Sequence, residues 1–567
     1  MPSFLRLAFV SAALIALTAC ATGGPGSEAA AAREDASLYG LYLAGHGALD
    51  AGDSKAAAAY FSQAQAAAPA ATFLRQQVFT AALLSGDIAK AAANAPGPGE
   101  GTAGDQAFGA LVRAVEALAD GKGAEAYATL STASGADGGP AALLRPWAAA
   151  AAGRTSDSLA IPGVTDRLYV LIAKRDQAAL FERARRYAEA ETAYKALLSQ
   201  RLYQALVLQD YGEFLERRGR KAEARGVYDQ ILAGDPDDPV AQAARARVLS
   251  GGRPPPVPTI REGAAAALTA PAAALIADRQ PEVGLGYLRL ALRLDPNLDE
   301  AWILAGDVMG SAGDAAGARE AFSHIGPKSP RYAEARSRLA WSYQGDGETG
   351  KALEIARQTA EQLPRSDLAK LTLADVLRGA DRFEESARVL DPLIAAKGDK
   401  ADWRLHYMRG VALERSGHWP EAEADLEAAL KLNPDQPEVL NYLGYSWVNR
   451  GMKVKEGMAM IQRAVDAQPQ QGAYVDSLGW AYYRLGQYDK AVAILERAVS
   501  LDASDPEINE HLGDAYWRVG RRNEAAFQWR AVLALKPDEP TRARVEAKLN
   551  SPLGPDAAGK GAAVAAQ

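Results

Sequence analysis

The side chains best suited to bind a transition metal or act as a nucleophile are one cysteine, Cys20, and five histidines: His46, His324, His406, His418 and His511. The histidines are scattered and none forms an HExxH pair, so the sequence holds no zinc-hydrolase signature. A single cysteine allows neither an intramolecular disulfide nor a cysteine-based metal site. There is no P-loop, no GxSxG elbow and no dinucleotide fingerprint. The one suggestive glycine pair, Gly284 and Gly286, falls where two helices would pack. A net charge of −7 without a basic stripe argues against a nucleic-acid role. The expectation is a non-enzymatic chain that needs no cofactor and no metal.

What remains is recognition, and the elements that would position it repeat. "DSLGWAYYRLGQYDKAVAILERAV" begins at Asp476, and "EHLGDAYWRVGRRNEAAFQWRAVL" begins at Glu510, 34 residues later. With Gly472 as position one of a 34-residue frame, position eight is Gly479, position eleven Tyr482, position fifteen Gly486, position twenty Ala491 and position twenty-seven Ala498. The next frame starts at Pro506 and fills those slots with Gly513, Tyr516, Gly520, Ala525 and Val532. Apolar residues recur three and four apart, which predicts helices and not strands. Small residues at positions eight and twenty let two antiparallel helices approach closely, and glycine at fifteen suits the left-handed residue that ends a helix. This pattern resembles the tetratricopeptide repeat (TPR). The resemblance implies an all-α fold, a TPR superhelix in which stacked pairs build a core that no single pair can bury.

Walking the frame upstream gives the organisation. Units start at 437 (with one extra residue), 403, 367, 333, 299 and 265, and earlier at 205 and 171. Residues 265–540 and 171–250 are therefore read as TPR units, separated by a Pro/Gly-rich break over 251–264 that contains "RPPPVP". The first helix after the break is expected to be interrupted by proline. Residues 38–170 are read as degenerate helical repeats, with a clear unit at 38–71 and Gly-rich joints near 131–140. Residues 541–567 are read as a capping helix, "TRARVEAKLN", and a disordered tail.

The TPR resemblance implies that positions two, five, nine, twelve and thirteen of each first helix face a groove. In the C-terminal units these slots hold Tyr407; Asn441, Tyr445 and Asn449; Asp476, Trp480, Tyr483 and Arg484; Glu510, Asp514, Trp517 and Arg518. Tyr, Trp and Arg are enriched in binding hot spots, so this set is the candidate partner-binding surface. Trp302, Tyr482, Tyr516 and Trp529 occupy framework slots and are assigned to the core. Acids alternate with bases along the face, unlike the clusters of Lys, Arg and Asn that clamp acidic peptide tails.

The N-terminus reads as an address. Arg6 precedes an apolar run, Leu7–Leu17, too short to span a bilayer and suited to the core of a signal peptide. Leu17-Thr18-Ala19-Cys20 resembles a bacterial lipobox, which implies cleavage after residue 19 and acylation of Cys20. Residues 20–37 would then be a lipidated cysteine and flexible tether. Ala21, in place of Asp, implies sorting to the outer membrane, facing the periplasm. With "NYLGYSWVNRG" preceding the two repeats quoted above, the layout resembles the TPR lipoproteins of the LbcA type. That resemblance implies an adaptor that brings a periplasmic carboxyl-terminal processing protease to cell-wall hydrolases. The alternative is an envelope-assembly or polysaccharide-export TPR lipoprotein.

Overall fold

The computed structural model describes residues 37–133, 139–199 and 204–550, and among these every long regular element is an α-helix. The signal segment, Cys20 and the tail after Asn550 lie outside the described residues. The chain divides into two units, Met1–Thr359 and Ala360–Gln567.

Helix pairing follows the predicted frame. Wherever glycine fills position eight, a Cβ would collide with the large residue on the partner helix. At Gly45 it would lie 2.5 Å from Phe61, at Gly212 2.5 Å from Tyr228, at Gly306 2.4 Å from Phe322, and at Gly513 2.5 Å from Trp529. The position-twenty alanines Ala57, Ala190, Ala224, Ala352, Ala422, Ala491 and Ala525 are fully buried. Where serine replaces alanine there, Ser386 satisfies its hydroxyl by donating to the Ala374 carbonyl across the pair, 2.7 Å away. Position fifteen is left-handed in glycine-bearing units (Gly52, Gly313, Gly417, Gly486, Gly520) and stays so at Arg185, Arg279 and Asp381. The turn geometry is thus set by the pair, not by the residue that occupies it.

In the first unit, α1 (Leu38–Asp50), α2 (Ser54–Ala67), α3 (Thr72–Ser85), α4 (Ile88–Asn94), α5 (Ala103–Ala119), α6 (Gly123–Thr132), α7 (Pro140–Ala151) and the short α8 (Thr155–Ser158) form the N-terminal run. Next come α9 (Arg167–Arg183), α10 (Tyr187–Leu198), α11 (Gln204–Arg217), α12 (Lys221–Gly234) and α13 (Pro239–Leu249). These bury a core of their own around Tyr194, Phe214 and Tyr228. After the proline segment, α14 (Ile260–Ala277), α15 (Pro281–Leu294), α16 (Asp299–Ser311), α17 (Ala315–Ser323) and α18 (Tyr332–Gly345) follow, and α19 (Thr349–Gln362) crosses into the second unit.

The proline break ends earlier than expected, and the helix after it is not interrupted. Thr259 and Glu262 form a capping box, with the Thr259 amide donating to Glu262 Oε2 at 2.7 Å, and α14 runs 18 residues with Pro271 inside it. An internal proline costs about 3 kcal/mol. Burial of Ala264, Ala265, Ala267, Leu268 and Ala272 on one helix outweighs it. Gly263 lies against the Trp147 ring, where a Cβ would sit 2.1 Å from the indole. α14 is also, among the described residues, the one helix long and apolar enough to cross a membrane. It packs on α7 and α15, and its apolar residues belong to the core.

The break also redirects the chain. A strictly linear array would leave α15 remote from the N-terminal run, yet one continuous core joins Phe79, Leu111 and Trp147 to Leu268, Leu288 and Ile303. Arg293 on α15 makes a two-pronged pair with Glu116 on α5 (2.8 and 3.0 Å). Arg289 donates to the Leu84 carbonyl at 3.0 Å, and Lys55 pairs with Glu320 at 2.5 Å. α15 therefore buries Leu285, Tyr287, Leu288, Leu290, Leu292 and Leu294, and directs Arg289 and Arg293 into these contacts. Gly284 and Gly286 prove to be packing positions, with Cβ positions 2.5 Å from Ile276 and 3.1 Å from Leu83.

The second unit contains α20 (Asp367–Gly379), α21 (Phe383–Lys397), α22 (Trp403–Arg415), α23 (Trp419–Leu432), α24 (Pro437–Arg450), α25 (Val454–Ala467), α26 (Gly472–Arg484), α27 (Tyr488–Leu501), α28 (Pro506–Arg518), α29 (Arg522–Ala534) and α30 (Glu539–Asn550). The extra residue of the 437 repeat is absorbed in the turn between α24 and α25, where Gly451 and Lys453 both have positive φ. Tyr516 and Trp529 are buried as assigned, whereas Trp302 and Tyr482 are only partly buried.

Candidate functional site on the first helices of the C-terminal repeats

The candidate residues lie on α22, α24, α26 and α28, the first helices of four successive repeats. The structure sorts them into two sets. Arg484 and Arg518 are exposed, and Trp480, Tyr483 and Trp517 are partly so. Trp480 is stacked between Tyr483 (centroids 4.6 Å apart, planes 7°) and His511 (4.1 Å, 16°). The Arg518 Nε donates to the Tyr483 hydroxyl at 3.1 Å, and Arg484 donates to the Asn449 carbonyl at 2.6 Å. Arg522 lies over the Trp517 ring, 4.1 Å from its centroid. Burial pushes the Tyr483 phenol up to about 12, so this hydroxyl stays protonated. The result is a strip of ring faces and edges bordered by two guanidinium groups.

Three expected groove residues are placed otherwise. Asp476, Glu510 and Asp514 are buried, because each faces the first helix of the following repeat, not solvent. Asp476 takes the His511 Nδ1 at 2.9 Å. Glu510 accepts two bonds from Arg544 (2.8 and 2.7 Å) and one from Lys548 (2.5 Å). Lys548 also donates to both Asp514 oxygens (2.8 and 2.7 Å), and the Trp529 indole donates to Asp514 at 3.0 Å. Buried charges persist only when paired and bonded in this way. Burial alone would raise the Glu510 carboxyl, but Arg544 and Lys548 hold it down at about 2. Burial would likewise lower the His511 imidazole, yet the Asp476 carboxylate raises it to about 9, so it is a cation at neutral pH.

Of the remaining candidates, Asn449 is exposed and Tyr407, Asn441 and Tyr445 are partly buried. Tyr445 reaches across α26 and donates to Glu507 at 2.8 Å, and burial raises its phenol strongly. Tyr407 packs edge-on against Tyr442 with centroids 5.9 Å apart. The Asn441 Oδ1 and the Trp480 Nε1 are buried without a hydrogen-bond partner, one acceptor and one donor on successive first helices.

Sequence reasoning missed His511, Arg544 and Lys548. The signal was present: charge-complementary side chains recur about one repeat apart on first helices. Glu182 and Arg217 pair across 35 residues, Asp476 and His511 across 35, and Asp514 and Lys548 across 34. Among the described residues no group of three metal-binding side chains converges.

Paired antiparallel helices, stacked through small residues at a 34-residue spacing, define a tetratricopeptide-repeat superhelix. In keeping with this, residues 205–248, 371–417 and 407–472 match models of the tetratricopeptide repeat, and 479–520 match a further TPR repeat model. A TPR repeat-containing protein of Pseudomonas aeruginosa is 27% identical over 175 residues, an alignment covering 25% of this chain and 29% of that protein. The chain thus spans under a third of the length of this curated relative. Among solved structures, a tetratricopeptide repeat protein from Parabacteroides merdae is 14% identical, covering 44% of this chain and 96% of its own, with a TM-score of 0.38. The Cut9–Hcn1 hetero-tetramer of the APC/C is 15% identical, covering 92% and 98%, also at 0.38. MamA from Desulfovibrio magneticus is 22% identical, covering 32% and 94%, at 0.25. TPR chains are protein-interaction scaffolds.

Proposed function

We propose that this chain is a non-enzymatic adaptor, tethered to the outer membrane through acylated Cys20 and facing the periplasm. Its C-terminal first-helix strip captures a protein partner. On this reading the partner is a carboxyl-terminal processing protease, which the scaffold brings to cell-wall hydrolases. The observation that supports partner capture is the strip itself: Arg484 and Arg518 are exposed beside the half-buried rings of Trp480, Tyr483 and Trp517. Such aromatic–arginine groupings carry most of the energy at protein interfaces. The resemblance of the N-terminus and the last three repeats to LbcA-type lipoproteins supports the location and the protease. Tethering adaptor, enzyme and substrate together raises their effective concentration without new chemistry.

The test is capture of partners from a periplasmic extract by residues 21–567, read by mass spectrometry. A processing protease and a cell-wall hydrolase are expected; polysaccharide-export components would overturn the protease assignment. Arg484→Glu with Arg518→Glu is the accompanying variant. Truncated hot spots cost about 2 kcal/mol or more, so capture should fall by well over tenfold with helicity unchanged. Undiminished capture by a folded variant would move the binding surface off these helices.

A further inference from the structure

The tryptophans follow a pattern with one exception. Where an indole reaches the surface, the chain covers it with a ring or a cation of its own. His324 stacks on Trp302 with centroids 3.8 Å apart, and Tyr483 and His511 flank Trp480. Arg404, Arg450 and Arg522 lie over Trp403, Trp419 and Trp517 at 4.1–4.7 Å. Trp341 on α18 is the most exposed tryptophan, at 42%, and no described residue places a ring or a cation over it. It borders a cavity of about 370 Å³ between α16, α17 and α18, wholly within the first unit. Asp307, Gly310 and Ser311 of one repeat and Trp341 of the next line this cavity, and all four fill groove-facing slots of the frame. One repeat after Asp307 stands Trp341 and not a cation, so the carboxylate stays open to solvent. Arg338 donates to Asp307 at 2.8 Å and also pairs with Glu334 at 3.1 Å. Arg319 pairs with Asp346 and, at 3.4 Å, with Glu348. Each guanidinium is thus divided between two carboxylates and is mostly covered. Asp307 and Asp346 each meet one cation, and their side chains remain 43% and 49% exposed. The cavity therefore presents an uncovered indole and two accessible carboxylates.

We propose that this cavity binds an arginine side chain carried on an extended segment of a partner protein. A guanidinium stacks on an indole through its plane and donates to carboxylates through its edge, a combination that the compact ammonium of lysine does not match. The chain builds the same arrangement internally: Arg450 lies over Trp419, 4.4 Å from the ring centroid, and pairs with Glu414 at 2.7 Å. A guest arginine completes at Trp341 what Arg450 completes at Trp419. An anionic guest is disfavoured, because Arg338 and Arg319 are already committed while Asp307 and Asp346 are not. Gly310, Ser311 and Ala315 line the cavity with little beyond backbone and leave room for the guest. The site is separate from the C-terminal aromatic strip, and it rests on neither the membrane anchor nor the identity of any protease.

The experiment uses the full chain after Cys20, with a fluorescent heptapeptide that carries one central arginine among glycine, serine and alanine. Binding is read by fluorescence anisotropy, and it should be saturable and weaken as salt is raised. A peptide with citrulline in place of arginine keeps the shape and loses the charge, and should bind at least tenfold more weakly. A lysine peptide should also bind more weakly than the arginine peptide. Trp341→Ala should weaken capture of the arginine peptide at least tenfold with the melting temperature unchanged, because the ring is exposed. Gly310→Leu is the second variant. Its Cβ position lies 3.6 Å from Ala318 Cβ, an ordinary contact, so the helix accepts the side chain, which fills the cavity and should block the peptide. The Arg484→Glu, Arg518→Glu chain should bind the peptide as wild type does, which keeps this site distinct from the strip. No saturable binding by the folded wild-type chain, or undiminished binding by the citrulline peptide or by Trp341→Ala, would overturn the proposal. Equal binding of the lysine peptide would overturn the assignment to arginine.

Discussion

Gly479→Ala adds one methyl group to α26, and the structure dictates its sign. In an exposed helix, Gly→Ala stabilises by about 1 kcal/mol through reduced backbone freedom in the unfolded chain. At this site the new Cβ would stand 2.6 Å from Leu495 Cγ and 2.7 Å from its Cδ2. Carbon atoms rest at about 3.5–4.0 Å, so roughly 1 Å must be found. Leu495 is fully buried on α27, and protein interiors are close-packed. Overpacking of this kind costs about 1–3 kcal/mol, which exceeds the propensity gain. The expected net effect is a destabilisation of about 1 kcal/mol, and Gly479→Leu should cost a few kcal/mol. Gly226 on α12 is the control, because nothing lies within 4 Å of its Cβ position, so Gly226→Ala should stabilise by about 1 kcal/mol. A second control removes the obstacle. In a Leu495→Ala background, itself destabilised by about 2–5 kcal/mol, Gly479→Ala should become stabilising. The assay is native-state hydrogen exchange resolved to α26 and α27, because a long array need not unfold in one step. If Gly479→Ala has the same sign in both backgrounds, close approach of the paired helices is not what selects glycine at position eight.

Other consequences follow from single observations. Arg279→Gly and Asp381→Gly relieve left-handed residues at φ 60° and 57°, and each should stabilise its turn by about 1 kcal/mol, read as a raised unfolding midpoint. The His511 imidazole is raised to about 9 from an unfolded value near 6.5. Its contribution is therefore complete below about pH 6.5 and lost as pH rises through about 9, so hydrogen exchange in α26 and α28 should accelerate over that window in wild type and less in His511→Asn. Arg293→Glu sets a carboxylate against Glu116 and Asp120 and should speed exchange in α5 while α10–α13 are unaffected. Cys20→Ser should abolish acylation; a wild-type chain that carries no lipid by mass spectrometry would refute the anchor.

The repeat was legible because it is written in side-chain size. Gly45, Gly212, Gly306, Gly479 and Gly513 are forced by the ring or branched residue sixteen positions later, and that constraint is local to one helix pair. Contacts beyond one repeat left a weaker trace. Nothing in "RPPPVPT" says that the chain turns back so that α15 joins the N-terminal run. The nearest hint was the low polarity of Gly284–Leu294, in which Arg289 and Arg293 are the only polar side chains besides the Tyr287 hydroxyl. Pro271 was misleading because proline propensity is a local quantity, while the burial that overrides it involves α7 and α15, far apart in sequence.

The candidate site shows the same division between local and between-repeat information. Helix periodicity places Trp480, Arg484, Glu510 and Asp514 on equivalent slots, and it treats the slots as equally exposed. Whether a slot is open depends on what the next first helix brings to it. Opposite Asn449, α26 brings Arg484, whose charge stays in solvent. Opposite Glu510 and Asp514, α30 brings Arg544 and Lys548 and closes the surface. A carboxylate on a first helix is therefore a groove residue only if no cation stands about 34 residues further on. Applied to the earlier repeats, the rule assigns Glu182, faced by Arg217, to the interior and not to a ligand. Both side chains are buried, with Nη2 and Oε2 2.8 Å apart. Removing one partner of such a pair costs about 3–5 kcal/mol, whereas replacing both with apolar residues of similar volume is often neutral. Glu182→Leu with Arg217→Met should therefore fold at least as well as either single change, and the single changes should each lose several kcal/mol. If Glu182→Gln and Arg217→Met alone leave α9–α13 as protected as in wild type, the polar ladder is not what sets the register of the first helices.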